Sequence, residues 1–143
     1  MEWQIKHFNQ LSTHQLVEIY KQRVAVFVVE QHCAYQEIDD QDLLAWHLFC
    51  TDQSSAITAY CRIIPKENKI YIGRILVSQQ ARGTGLAKQL MQQALQFIAQ
   101  QWQGIPIALQ AQAYLQDFYQ SFGFKPISAI YLEDGIEHLD MLK

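Results

Sequence analysis

Two glycines separated by one residue mark a turn in the middle of the chain that could bind an anion. Gly83 and Gly85 follow a segment rich in β-branched residues and precede a long helical pattern. Glycine adopts positive φ angles readily and lets the backbone approach a ligand closely. The first turn of a helix carries unpaired N–H groups and a partial positive charge, which suit a diphosphate. With Arg82 and Lys88 beside it, this turn is predicted to hold an anionic cofactor.

The same glycines also fit other interpretations. They could merely form a turn between a strand and a helix, without any ligand. A dinucleotide-binding fingerprint would need a third glycine at the position of Lys88, and an NTPase phosphate loop would need Gly-Lys followed by Ser or Thr. Both standard nucleotide motifs are therefore disfavoured, and a nucleotide-binding domain of another type is the weakest alternative.

Two motifs together resemble a known family. Arg82-Gly83-Thr84-Gly85-Leu86-Ala87, after Ile75-Leu76-Val77, is similar to the cofactor motif of the GNAT superfamily of acyl-CoA-dependent acyltransferases. Downstream, the segment 117–124 resembles that superfamily's second signature, Phe/Leu-Tyr-x-x-x-Gly-Phe, with Tyr119 at its tyrosine. The distance between the two motifs is also typical of the superfamily.

Further segments, among them 26–31 and 131–136, resemble the ElaA-like branch, so the resemblance covers nearly the whole chain. Tyr114 and Glu137 stand where that branch commonly has His and Pro, and both departures concern the acceptor end of the cleft.

The resemblance implies an α/β GNAT fold: a central mixed, mostly antiparallel sheet with a splayed parallel strand pair, flanked by helices. Acetyl-CoA would enter the gap between these two strands as acyl donor, and no metal is implied. The backbone of Ile75, Leu76 and Val77 would pair with the pantetheine arm, and Gln112 would lie beside the thioester. The pyrophosphate would be held by Arg82, Gly83, Thr84, Gly85, Leu86, Ala87 and Lys88.

Attack of an amine on a thioester needs a proton acceptor, a donor for the developing oxyanion and an acid for the leaving thiolate. Tyr119 is predicted to be the acid, because its phenol can protonate a thiolate of similar basicity. The alternative is a core tyrosine that packs beside Phe118 and Phe122. A backbone N–H at Leu76 is the candidate oxyanion donor.

The base is less clearly indicated. Glu37 and His47 are the tentative candidates, and Asp39, Glu133 and His138 are further ones. Each carboxylate could instead be a solvated surface group or bind a cationic acceptor, and each histidine could be structural. Cys33, next to His32, is a weak candidate for an acyl-carrying nucleophile.

Hydrophobic periodicity predicts the elements that must position these groups. Strands are expected at 3–8, 47–51, 57–64, 69–77, 105–111, 124–132 and 136–142. Helices are expected from a capping box at Ser12 and Gln15 to about Phe27, after the glycine turn to Trp102, and over 114–122. The only parallel crossover joins 69–77 to 105–111.

Length and composition limit the classes of protein. The 143 residues are expected to form a single domain, 1–143, and half of them are hydrophobic. A net charge of -3 without a basic stripe argues against a nucleic-acid partner, and no apolar run is long enough for a membrane. Three cysteines without metal-type spacing indicate free thiols in a cytoplasmic protein. A homodimer through the C-terminal hairpin is a further hypothesis.

These features predict an N-acetyltransferase that acts on a primary amine, either a small molecule or a protein lysine or N-terminus. The alternative is a module that binds acyl-CoA as a sensor and does not turn it over.

Overall fold

Eight strands form one mixed sheet in the computed structural model, which describes residues 1–143. The spatial order is β1-β2-β3-β4-β5-β8-β6, with β7 also paired to β8. The strands are β1 (Glu2–His7), β2 (Trp46–Thr51), β3 (Ile57–Lys66), β4 (Lys69–Val77), β5 (Ile107–Gln112), β6 (Lys125–Pro126), β7 (Tyr131–Glu133) and β8 (Ile136–Leu142). The helices are α1 (Thr13–Arg23), α2 (Leu86–Gln101) and α3 (Gln116–Gln120). None of these helices combines the length and the hydrophobicity that a membrane-spanning helix needs.

The two faces of the sheet are covered by different helices. On one face, the four-residue spacing of Leu86, Leu90, Ala94 and Ile98 presents a continuous apolar stripe of α2 to the main core. On the other face, Ile19 of α1 belongs to a smaller core together with residues of β2, β3 and β4. The helix predicted after the glycine turn is confirmed, and it ends one residue before Trp102.

α1 begins with the predicted capping box. The Ser12 side chain accepts a hydrogen bond from the Gln15 N–H, and the Gln15 side chain accepts one from the Ser12 N–H. The chain then continues from Val24 to Glu30 as a π-helix, beyond the predicted end near Phe27. These wider turns direct Val26 and Phe27 into the core.

A seam between β4 and β5 interrupts the sheet. These two strands are the only parallel pair, and their register covers just two positions, Ile70 with Ile107 and Tyr71 with Ala108. Beyond Tyr71 the strands are not paired, and a gap opens towards the carboxyl ends of both strands. The predicted mixed sheet with a splayed parallel pair is therefore confirmed.

The C-terminal part departs from the prediction of one strand over 124–132. It contains two short strands, β6 and β7, because Pro126 has no N–H to donate and the Ser128 hydroxyl accepts the Asp140 N–H. The predicted Asp134-Gly135 hairpin is present, with both turn residues at positive φ. The helix expected over 114–122 is a 3-10 turn at Ala113–Leu115 followed by α3, and Gly123 ends it at φ 94°.

Candidate active site

The seam opens into the main cleft of the molecule, which has a volume of about 830 Å³. Its walls come from the open half of β4, the ends of β5 and β8, α3, and the segment 26–41. It is lined by seven of the residues predicted to bind cofactor or to act as acid or oxyanion donor: Ile75, Leu76, Val77, Arg82, Ala87, Gln112 and Tyr119. The candidates Cys33, Asp39, Glu133 and His138 line it as well. The fold therefore gathers both sequence motifs around one cavity.

The glycine turn lies at one end of this cleft. Gly83 and Gly85 have φ angles of 79° and 80°, which glycine adopts without strain, and α2 starts at the next residue, Leu86. A Cβ added at either glycine would meet no atom within 4 Å, so the space above the turn is open. A smaller cavity of about 120 Å³ lies against the turn and is lined by both glycines and Leu86. Thr84 and Lys88 line neither cavity.

Arg82 is held at the mouth of the cleft by an ion pair. Its guanidinium donates two hydrogen bonds to the Glu30 carboxylate, at 2.8 and 2.9 Å, and its Nε donates to the Val77 carbonyl at 3.1 Å. Hydrogen bonding to Glu30 raises the pKa of Arg82. Both partners are 40% exposed, so the pair bridges the π-helix and the glycine turn at the surface.

Tyr119 reaches the cleft from α3 and is only 4% exposed. Its ring packs edge-on against Phe118 and Phe124, and its hydroxyl group has no hydrogen-bond partner in the chain. Burial raises the pKa of Tyr119, so the phenol stays protonated at neutral pH. The side chain is thus both a packed core residue and an unengaged proton donor.

The backbone N–H of Leu76, predicted to be the oxyanion donor, points away from the gap. The Ser78 N–H donates to the Thr58 carbonyl of β3 at 2.9 Å. Because successive N–H groups of a strand point to opposite sides, the Leu76 N–H also faces β3. The N–H groups of Ile75 and Val77 face the gap, and these are the donors that a ligand in the seam can reach.

A β-bulge in β4 lies just before these donors. Gly73 is paired with Arg62 and Leu76 with Tyr60, so β4 has one extra residue over this stretch. Arg74 lies in the bulge at φ 52°, a left-handed conformation that is strained for a residue other than glycine. The bulge bends the strand where the seam opens.

Glu37 holds this bulge and does not line the cleft. Its Oε2 accepts hydrogen bonds from Arg23 Nε at 2.7 Å and Arg74 Nε at 2.9 Å, and Tyr35 donates to its Oε1. Its carbonyl oxygen accepts from both arginines as well. The carboxylate predicted as a tentative base is therefore 4% exposed and saturated with donors.

Two further carboxylates extend this cluster to Arg62. Asp42 accepts from Arg23 at 2.6 Å and from Arg62 at 3.0 Å, and Asp39 accepts from Arg62 at 2.8 Å. Burial alone would raise the pKa of both carboxyl groups, but hydrogen bonds and charges of the arginines outweigh it and lower both. The sequence-based interpretation missed Arg23, although it lies four residues after the buried Ile19 on the inward stripe of α1.

His47 lies outside the cleft and is completely buried. Its Nε2 is 3.0 Å from the Asp42 carbonyl oxygen and therefore carries the proton. Its Nδ1 is 2.7 Å from the Tyr60 hydroxyl oxygen and accepts a hydrogen bond from that hydroxyl. Burial lowers the pKa of His47, so the ring is neutral. The structure thus gives the second tentative base two structural hydrogen bonds and no access to a substrate.

Several polar side chains face the cleft from the strands beyond the seam. Gln112 of β5 is opposite His138 of β8 in the register, and both line the cleft. Cys33 also lines it and donates from its thiol to the Asp134 carbonyl at 3.6 Å, which joins the segment after the π-helix to the hairpin turn. No base lies within hydrogen-bond distance of Cys33, so the nucleophile hypothesis gains no support.

Comparison with known proteins identifies the family. A family model described as an acetyltransferase (GNAT) domain matches residues 12–143. The chain belongs to the GNAT family. As a GNAT protein, it carries the fold that its two motifs predicted, and it belongs to a family of acyltransferases that use acyl-CoA.

Full-length relatives place this GNAT chain in the ElaA-like branch. It is 41% identical to protein ElaA of Escherichia coli, covering 100% of this chain and 96% of ElaA, whose crystal structure superposes with a TM-score of 0.96. It is also 41% identical to a UPF0039 protein of Schizosaccharomyces pombe, covering 99% and 95% of the two chains. The structure of an acyl-CoA N-acyltransferase from Pseudomonas aeruginosa is 38% identical, with a TM-score of 0.96 over 100% of this chain and 99% of that one.

Proposed function

We propose that the protein transfers an acetyl group from acetyl-CoA to a primary amine by direct attack of the amine on the thioester. The observation that carries the proposal is that one cleft joins an open glycine turn at the start of α2, unpaired strand amides and the hydroxyl of the mostly buried Tyr119, which forms no hydrogen bond within the chain. Each of these three features matches one part of the substrate or one step of its reaction.

Acetyl-CoA fits the seam in one orientation. The pyrophosphate would lie over Gly83 and Gly85 at the start of α2, where N–H groups and the helix dipole favour negative charge. The amides of the pantetheine arm would pair with the backbone of Ile75 and Val77 on the open side of β4. This orientation places the thioester towards Tyr119 and Gln112.

The chemical step then uses groups at the inner end of the seam. The amine nitrogen attacks the carbonyl carbon, and the backbone N–H of Ile75, the donor farther from the glycine turn, stabilises the developing oxyanion while the N–H of Val77 pairs with the pantetheine arm. As the C–S bond breaks, Tyr119 donates its proton to the leaving sulfur. The acceptor would enter from the face of the sheet that carries α1, where the carboxylates of Asp39, Glu133 and Asp134, all of which line the cleft, could attract a cationic amine. Its amine could belong to a small molecule or to a protein lysine or N-terminus.

One observation favours a second candidate, a module that senses acyl-CoA without turnover. Neither Glu37 nor His47 faces the cleft, so neither of the two bases predicted from the sequence can reach an acceptor directly. A panel of amines separates the two functions: the enzyme releases free CoA thiol with at least one of them, and the sensor binds acetyl-CoA but releases none.

Cofactor binding is best tested at Ala87, which lines both cavities in the first turn of α2. An Ala87→Glu substitution places a negative charge where the diphosphate would lie, and a carboxylate there favours the helix itself. An Ala87→Gln substitution is the matched control, with similar size and no charge. A glycine substitution is less suitable, because the positive φ of Gly85 strains any side chain placed there.

Calorimetric titration with acetyl-CoA should show saturable binding by the wild type and by Ala87→Gln. Binding by Ala87→Glu should weaken at least 10-fold, which corresponds to about 1.4 kcal/mol. Equal affinities of the two variants would exclude the glycine turn as the diphosphate site. No binding by the wild type would overturn the proposed function.

A further inference from the structure

His138 lies at the cleft with one ring nitrogen in a hydrogen bond and the other without a partner. Its Nδ1 lies 2.7 Å from the carbonyl oxygen of Ile136, in the same strand. A carbonyl oxygen can only accept a hydrogen bond, so in the neutral ring Nδ1 carries the proton. The lone pair is therefore on Nε2, which has no hydrogen-bond partner in the chain.

The orientation of the imidazole is fixed by its neighbours. The ring stacks on Tyr131 of β7, with centroids 6.2 Å apart and an interplanar angle of 21°. Tyr131 is itself held, because its hydroxyl donates to Asp140 Oδ1 at 2.5 Å. The hydrogen bond at Nδ1 and the stacking contact together fix the orientation of the His138 ring, and with it the direction of Nε2.

The position of His138 in the sheet is also suitable. It lies opposite Gln112 in the β5–β8 register, and both side chains line the cleft. Leu139, the next residue of β8, lies in the main core under α2 and α3. Because neighbouring residues of a strand point to opposite faces, His138 is on the other face of the sheet, the face from which we propose that the acceptor enters.

We propose that His138 is the general base that removes a proton from the incoming ammonium group; this inference rests on the proposed function. Nε2 takes one proton from R–NH₃⁺, which leaves a neutral amine and an imidazolium. The amine then forms the N–C bond, the C–S bond breaks, and the thiolate takes the Tyr119 proton. The attacking nitrogen is cationic once the N–C bond has formed, and it returns its extra proton to the tyrosinate through water, which leaves a neutral amide. The imidazolium releases its proton to solvent.

Tyr131 stacks on the His138 ring and carries Asp140 with it through a hydrogen bond. The other ionisable groups share the lining of the cleft with His138: Glu30, Cys33, Tyr35, Asp39, Arg62, Lys66, Tyr71, Arg74, Arg82, Tyr114, Tyr119, Glu133 and Asp134. None of them forms a hydrogen bond with Nε2, so His138 is the one imidazole in the cleft with a free lone pair.

The test uses His138→Asn, since the asparagine amide can keep the donor at the position of Nδ1 while it removes the basic nitrogen. Acetyl-CoA is the donor, and the acceptors are a diamine, an amino-acid amide and a short peptide with a free N-terminus. We expect turnover near pH 7 to fall about 100-fold with unchanged affinity for acetyl-CoA. The matched control, His14→Asn on the exposed start of α1, should keep wild-type turnover.

The pH dependence distinguishes a base from a positioning residue. The difference in turnover between His138→Asn and the wild type should become smaller towards pH 10, because an amine that is already neutral needs no base. Added imidazole should partly restore turnover to His138→Ala. A deficit that is constant with pH and not rescued by imidazole would show a positioning role and overturn the proposal, as would turnover within 3-fold of the wild type.

The position of the proton on the His138 ring can be measured in the wild-type protein, without a variant or an acceptor. NMR of protein labelled with ¹⁵N-histidine should show the neutral ring of His138 with its proton on Nδ1. A proton on Nε2 would overturn the base role while leaving the proposed function intact. If the wild type binds acetyl-CoA but acetylates none of the amines, the proposed function itself fails and the base role fails with it.

Discussion

Tyr119 shows how one residue can serve packing and chemistry together. Its ring is part of the main core, which explains why an aromatic residue is needed in α3. Packing does not require the hydroxyl group, however, because no hydrogen bond of the chain involves it. Replacement by phenylalanine should therefore leave the fold intact and remove only the proton donor.

We predict that Tyr119→Phe lowers kcat for acetyl transfer about 100-fold and leaves the Kd for acetyl-CoA unchanged. The control is Tyr20→Phe, which removes a hydroxyl group from α1 outside the cleft. Because burial raises the pKa of Tyr119, its ionisation should cause no loss of wild-type activity below pH 10. Steady-state kinetics across this pH range and calorimetry provide the measurements, and unchanged turnover would exclude Tyr119 from the mechanism.

Individual site residues could be predicted from the sequence where they belong to a local motif. Gly83, Gly85 and Tyr119 could be predicted because each belongs to a motif formed by its neighbours in sequence. The tentative bases Glu37 and His47 were chosen by residue type alone, and burial beside arginines or Tyr60 is decided by contacts distant in sequence. Leu76 shows a third case: the strand was predicted correctly, but the side to which each N–H points depends on the register with β3.

The element that organises the cleft is the bulged strand β4. The strained Arg74 is held by hydrogen bonds to the side chain and the carbonyl of Glu37, and its guanidinium lies over the Tyr35 ring. Glu37 thus connects the segment after the π-helix to the place where the seam opens. Its expected contribution is to position the backbone donors rather than to transfer a proton.

We predict that Glu37→Gln lowers the free energy of unfolding by about 3 kcal/mol, because two arginines lose a buried countercharge. Turnover should fall about 10-fold through misplaced donors, while the shape of the pH–rate profile stays that of the wild type. Urea unfolding and kinetics test this prediction. The control is Glu18→Gln, which breaks the surface ion pair with Lys21 and should lower the free energy of unfolding by no more than about 1 kcal/mol.

A pH–rate profile that loses its acid limb in Glu37→Gln would instead restore Glu37 as the base.

The bulge in β4 could not be predicted from the sequence, since an arginine such as Arg74 gives no indication of a positive φ. The strand, the glycine turn and α2 were predictable, because periodicity and glycine spacing are local properties.

At the scale of the whole molecule, the buried polar cluster should make stability depend on pH. Burial lowers the pKa of His47, so the unfolded chain binds a proton more readily than the folded one. The stabilising contribution of the neutral ring is complete above about pH 6.5, the ordinary value for histidine, and is lost as the pH falls.

We predict that the free energy of unfolding decreases between pH 7 and pH 5, by at most about 1.4 kcal/mol per pH unit from this group. His47→Gln should flatten this dependence, and His14→Gln, at an exposed position, should keep it. Urea titrations at a series of pH values measure the slope. An identical slope in the wild type and His47→Gln would assign the effect to other residues.

The seam between β4 and β5 gives the sheet two edges in its interior. An unpaired strand edge normally invites another chain to add to it, and proteins usually cover such edges or keep them short. Here the two edges face each other across a gap, so a ligand with amide groups can complete the sheet as a ninth strand. Affinity for such a ligand would then reside largely in main-chain atoms, which side-chain substitutions along β4 leave in place.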